Sequence, residues 1–183
     1  MLTQQADLNQ VSLAGQFGAY WGVIGVCMLL IFSVYRLTII ALDSLQFPFL
    51  WYHWLMLVGT LLFMAHSEGY KGFQKSFSPR VAARARYLKF NPNPWYVAFA
   101  PLFCMGYFHA TGRRLIRSYG LTLGIILLVI LVNQISQPWR GILDTGVVVG
   151  LIWGLVSVVI YFIQAMSMEE FRFSAEVPMT EKE

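Results

Sequence analysis

Residues 66–117 read HSEGYKGFQKSFSPRVAARARYLKFNPNPWYVAFAPLFCMGYFHATGRRLIR, and the reading of this stretch decides how the rest of the chain is arranged. It holds nine of the thirteen Lys and Arg residues and two of the three His, and Glu68 is its single acid. Between its two basic parts lies an apolar insert, Trp95 to Phe108, fourteen residues long and interrupted by Pro101 and Gly106. An α-helix of that length covers about 21 Å, against roughly 30 Å for the hydrocarbon core of a bilayer. A full crossing would put the flanking basic segments on opposite faces, against the bias that keeps Lys and Arg cytoplasmic. The expectation is therefore a re-entrant or short helix over 95–109, with all nine cations on one face. The alternative is a fifth crossing over 95–112, helped by snorkelling arginines.

Outside this stretch the chain reads as membrane. It is 57% hydrophobic and 12% charged, with a mean hydropathy of +0.60, far from the roughly 25% charged residues of soluble domains. The 183 residues suit one unit of four or five spanning helices, since each crossing needs about 20 apolar residues. The fold class is thus all-α, a polytopic helical bundle forming a single transmembrane domain. Spans are expected over 17–42, 48–70, 119–135 and 142–164, with 95–112 uncertain. The first nineteen residues carry Asp7 and no Lys or Arg, so a cleavable leader is not expected. Residues 1–15 read as a polar lead-in. After Met166 the chain carries five Glu against Arg172 and Lys182, and this tail, 166–183, is expected to be flexible.

Local signals divide the basic block. Ser78 and Pro79 form an N-cap and first-turn pair, predicting that a helix restarts there. Val81, Ala85 and Leu88 recur at helical spacing with Arg80, Arg84 and Arg86 around them, the pattern of an interfacial helix over 79–88 lying on anionic headgroups. In the last span Gly146, Gly150 and Gly154 stand four apart on one face and predict a close helix contact, within the chain or between copies.

Candidate chemistry follows from ionisable groups near the membrane. His66, Glu68 and His109 could supply acid–base groups, and Arg80, Arg84, Arg86, Arg113, Arg114 and Arg117 supply guanidinium forks suited to phosphate. His66 and Glu68 stand two apart on a helix and point away from one another, so no metal site is expected. No cofactor is expected either; a b-type haem is the alternative, since His53, His66 and His109 allow at most one bis-His pair. Cys27 and Cys104 lie in apolar runs without a CxxC pattern and read as small hydrophobes. No phosphate loop, nucleophile elbow or HExxH occurs.

The reading is a small bundle of the bacterial inner membrane acting as a channel, transporter or lipid-associated subunit, more readily non-enzymatic than enzymatic. Its expected partners are anionic lipid headgroups and either further copies or another membrane chain. Nucleic acid is not expected, because the positive-inside rule already accounts for the cations. The rival is a membrane enzyme acting on a phosphate-bearing lipid.

Overall fold

A computed structural model describes residues 12–168 and 170–177. The described residues are helical and contain no β-strand. Three helices are long and apolar enough to cross a membrane, Leu13–Gln46, Gly112–Val132 and Trp139–Ser167, as an integral membrane protein requires. The lead-in before Ser12, residue 169 and residues 178–183 lie outside the described residues.

Helix α1, Leu13–Asp43, is prolonged by a 3₁₀ turn, Ser44–Gln46. The chain then runs through α2, Trp51–Met64, a π-helical segment, Ala65–Phe77, and α3, Ser78–Phe90. This corrects two expectations. The region 48–70 is not one α-helix, because its apolar part stops at Met64 and the polar continuation changes register. Nor does the helix break before Ser78: Ala65, Phe77 and Ser78 all keep right-handed helical backbone, so the path is continuous from Trp51 to Phe90. The Ser78 N–H donates to Phe73 O, five residues back. Pro79, which has no N–H to lose, follows where the π register gives way to α.

A third correction concerns α3, which is packed among other helices rather than lying along the surface. Val81, Ala82, Ala83, Arg84, Ala85 and Leu88 are all buried. The alanines let neighbouring backbones approach on several sides, and α1 and α7 pack against this helix.

The insert forms α4, Pro94–Ala98, and α5, Ala100–Met105, each far too short to span. Asn93 caps α4, its side chain accepting from the Trp95 N–H at 3.1 Å. The insert lies along the glycine face of α1. Lys89 and Leu88 approach Gly15, Val97 approaches Gly18, Ala100 and Cys104 approach Gly22, and Pro101 approaches Gly25. The contact at Gly15 comes from the end of α3, and the insert itself meets α1 from Gly18 to Gly25, seven residues or about 10 Å along the axis. The chain leaves α5 through Gly106 at φ 85°, a left-handed conformation that glycine accepts without strain.

Helix α6, Gly112–Val132, begins within the second basic cluster rather than at Tyr119. Only its first turns are packed: Arg114 and Ser118 are its buried residues. Leu121, Leu123, Ile125 and Leu127 are each more than half exposed. Helix α7, Trp139–Ser167, runs parallel to α2 and the π-helical segment. Trp139 packs on His53, and the glycine face follows in register. A Cβ at Gly146 would stand 2.6 Å from Thr60 Cγ2, one at Gly150 2.9 Å from Glu68 Oε2, and one at Gly154 2.5 Å from the Phe73 ring. The close contact therefore lies within the chain.

These contacts give the bundle two distinct ends. Ser44, His53, Trp139 and Gly141 gather at one. The start of α1, the end of α7, α3 and the start of α6 gather at the other, which takes eight of the nine cations of the central stretch from Lys75 onward. The tail docks here too. Thr111 N–H donates to Glu176 O at 3.1 Å, so residues 170–177 lie against the bundle rather than free of it.

Candidate functional site

Arg84 is the hub of the basic end. It is 1% exposed, the largest fully buried side chain among the described residues. Its Nε donates to Phe103 O, Nη1 to Ala175 O at 2.9 Å, and Nη2 to Phe108 O at 2.9 Å and His109 O at 3.1 Å. The guanidinium also lies 4.2 Å from the Phe103 ring centre, a cation–π contact. Burial pulls its pKa down to about 10, with Arg114 pushing the same way, so it stays charged at neutral pH. Its charge is met by carbonyl dipoles from the insert, the loop and the tail. His109 and Glu176 have left-handed backbone, φ 46° and 50°. Such strain persists where surrounding contacts over-determine it, and Arg84 holds the carbonyls of His109 and of Ala175, next to Glu176.

Arg86 serves the end of α7. Its Nη1 donates to Ala165 O at 2.7 Å and to Met168 O, placing a cation at the carbonyl end of the helix dipole.

The remaining arginines make a different arrangement. Arg80, half-buried, donates to Ser76 Oγ. Arg114, 6% exposed, sends Nη2 to Met105 O at 3.4 Å and sets Nε 3.7 Å from Glu176 Oε2. At 3.7 Å this is an ion pair without a hydrogen bond. The Nε groups of both Arg80 and Arg114 are buried without a hydrogen-bond partner. Both arginines are attracted to Glu176 and repelled by Arg117. Burial, more than these charges, lowers the Arg80 pKa. Beside them is a cavity of ≈230 Å³ lined by Lys75, Ser76 and Arg80 from the helix and by Phe173, Ser174 and Glu176 from the tail. Lys75 and Arg80 thus line this cavity with Glu176, Arg114 pairs with that carboxylate and Arg117 stands near Arg80 and Arg114, with buried Nε donors left over. Chemically this is a concentration of cations facing a carboxylate from the chain's own tail. Arg113 is exposed, unlike its buried neighbour Arg114.

The six arginines expected to act together are therefore divided. Arg80, Arg114 and Arg117 are brought together, Arg84 and Arg86 hold backbone carbonyls, and Arg113 stands apart. Lys75 and Glu176 belong to the cluster although sequence spacing does not single them out; Glu176 in particular is joined to it only by the docking of the tail.

His66, Glu68 and His109 are not brought together. His66 is exposed and stacks on Tyr70, ring centres 5.8 Å apart. Glu68 faces Gly150. His109 stacks on Tyr96 at 4.8 Å, beside Arg84, and Arg84 follows Glu68 by sixteen residues on the same continuous helix, about 20 Å away. His53 is buried at the opposite end, its Nδ1 accepting from Leu50 N–H at 3.0 Å, so it and His109 cannot ligate one iron. Among the described residues no three His, Cys, Asp or Glu side chains are grouped as metal ligands.

No protein-family model, curated protein or solved structure matches this chain. The reading of its function rests on the geometry.

Proposed function

We propose that this protein is a non-enzymatic bundle of the bacterial inner membrane that binds a phosphate-bearing anion at the Lys75, Arg80, Arg114 and Arg117 cluster, as a lipid-associated membrane component. The observation that carries it is Arg114, a buried residue whose Nε has no hydrogen bond and stands 3.7 Å from the Glu176 carboxylate, among further cations. A buried charge without full pairing is costly, and an added phosphate would offer the bidentate acceptor that guanidinium favours.

The same reading assigns four crossings: α1, α2 with the π-helical segment, α6 and α7. The insert lies beside α1 from Gly18 to Gly25, about 10 Å along its axis and well short of the core thickness, and returns. The basic end then faces the cytoplasm, as the positive-inside rule requires.

Native mass spectrometry of the purified protein tests the binding. The parent is expected to retain an anionic phospholipid that Arg114→Gln and Arg80→Gln lose. A parent carrying no anionic lipid, or variants that retain it equally, would contradict the reading.

A further inference from the structure

The cationic cavity has an apolar neighbour. Along the outer face of α7 runs a second cavity of ≈550 Å³, lined by Val149, Trp153, Val156 and Ile160 and by Gln74 and Tyr161. Gln74 adjoins Lys75 of the first cavity and accepts a hydrogen bond from Trp153 Nε1 at 2.8 Å. Tyr161 packs its ring against Phe173, which lines the first cavity, with ring centres 5.7 Å apart. The two cavities are therefore neighbours, one among cations and the other over hydrocarbon side chains, meeting at Gln74–Lys75 and at Tyr161–Phe173.

The length of the apolar groove suits one acyl chain. From Tyr161 to Val149 is twelve residues, about 18 Å of helix, against about 15 Å for half of the hydrocarbon core. Val156 and Ile160 are about half exposed, so the groove opens sideways to lipid. A free inorganic anion would use the cationic cavity and leave the groove irrelevant. The juxtaposition of buried guanidinium donors with a one-leaflet apolar channel fits a molecule that is anionic at one end and aliphatic along its length.

We infer that the two cavities form one site for an anionic phospholipid, with its phosphate among Lys75, Arg80 and Arg114 and one acyl chain lying along α7 past Trp153. This rests on the anion-binding reading above and names the ligand of that site.

Trp153 reports on the groove directly. The purified full-length protein is titrated with brominated-chain phosphatidylglycerol or brominated-chain phosphatidylcholine in micelles, and Trp153 quenching is taken as the difference between parent and Trp153→Phe. The expected result is half-maximal quenching at about fivefold lower mole fraction of phosphatidylglycerol, the factor contributed by about one cation near an anionic headgroup. Lys75→Gln, at an exposed position where folding is not at stake, is expected to remove most of that preference. Equal quenching by the two lipids overturns the inference. If phosphatidylglycerol still co-purifies with the parent, or inorganic phosphate binds to it, the anion-binding reading survives that result. If neither binds, both fall.

Discussion

Arg114 and Glu176 meet across the basic end with Nε 3.7 Å from Oε2, close enough to attract and too far to hydrogen-bond. The carboxylate comes from a tail residue with left-handed backbone, φ 50°, and lines the same cavity as Arg80 and Lys75. In the proposed site it stands where it would compete with a ligand phosphate. Replacing Glu176 with Gln removes a like charge beside the incoming phosphate, and binding of an anionic phospholipid is expected to tighten by about fivefold. Titration of parent and variant with phosphatidylglycerol checks this; weaker binding by Glu176→Gln would show that the carboxylate supports the site.

Arg84 ties the insert, the loop after it and the tail to α3 through four carbonyl hydrogen bonds. Arg84→Met would leave these carbonyls bare, and each buried unsatisfied polar group costs about 1–3 kcal/mol. A loss of about 3 kcal/mol or more is expected in thermal or denaturant unfolding. Arg84→Lys should recover little, because an ammonium cannot reproduce the planar fork. Unfolding of Arg84→Met at the parent's midpoint would remove Arg84 from its role as the tie.

The glycines of α6 and α7 should respond differently to one substitution. Gly150→Leu must push apart α7 and the π-helical segment, since even a Cβ would stand 2.9 Å from Glu68 Oε2. Overpacking of this kind costs about 1–3 kcal/mol. At Gly120 and Gly124 nothing lies within 4 Å of an added Cβ, and Gly120→Leu should melt with the parent. Equal destabilisation by the two substitutions would contradict this division.

All-helical membrane character was legible from composition, and the glycine spacing of α7 pointed to the face that packs. The fourteen-residue insert was also legible as too short for a span. What escaped was set by distant contacts. Ser78 and Pro79 carry a local signal for a new helix, yet the preceding π register absorbs the proline. The arginines of α3 look like a surface pattern because the carbonyls that satisfy Arg84 come from Phe103, Phe108, His109 and Ala175. Glu176 has no local signal at all, since its role depends on where the tail docks.

His109 makes the basic end sensitive to acid. Burial, and then Arg84, lowers its pKa below the value near 6.5 that an unfolded chain has. The unfolded state thus takes up its proton first as pH falls. Stability is unaffected above about 6.5, declines below it and levels off once pH passes the folded pKa. His109→Asn, which tolerates left-handed backbone, should flatten that part of the pH profile. An unchanged slope between parent and variant in unfolding at pH 5–7 would assign the sensitivity elsewhere.

The central claim is that the cations of 75–117 share one side of the membrane although an apolar insert separates them. Lys75 and Thr111 are exposed on either side of that insert, and Gln46 is exposed at the opposite end of the bundle. Single cysteines at these positions, in a background with Cys27→Ala and Cys104→Ala, can be labelled in intact cells and in inverted vesicles with a membrane-impermeant thiol reagent. The account predicts that Lys75→Cys and Thr111→Cys react only from the cytoplasmic side and Gln46→Cys only from the outside. Labelling of Lys75→Cys and Thr111→Cys from opposite sides would contradict it, establishing a crossing by the insert and splitting the anion site between two faces of the membrane.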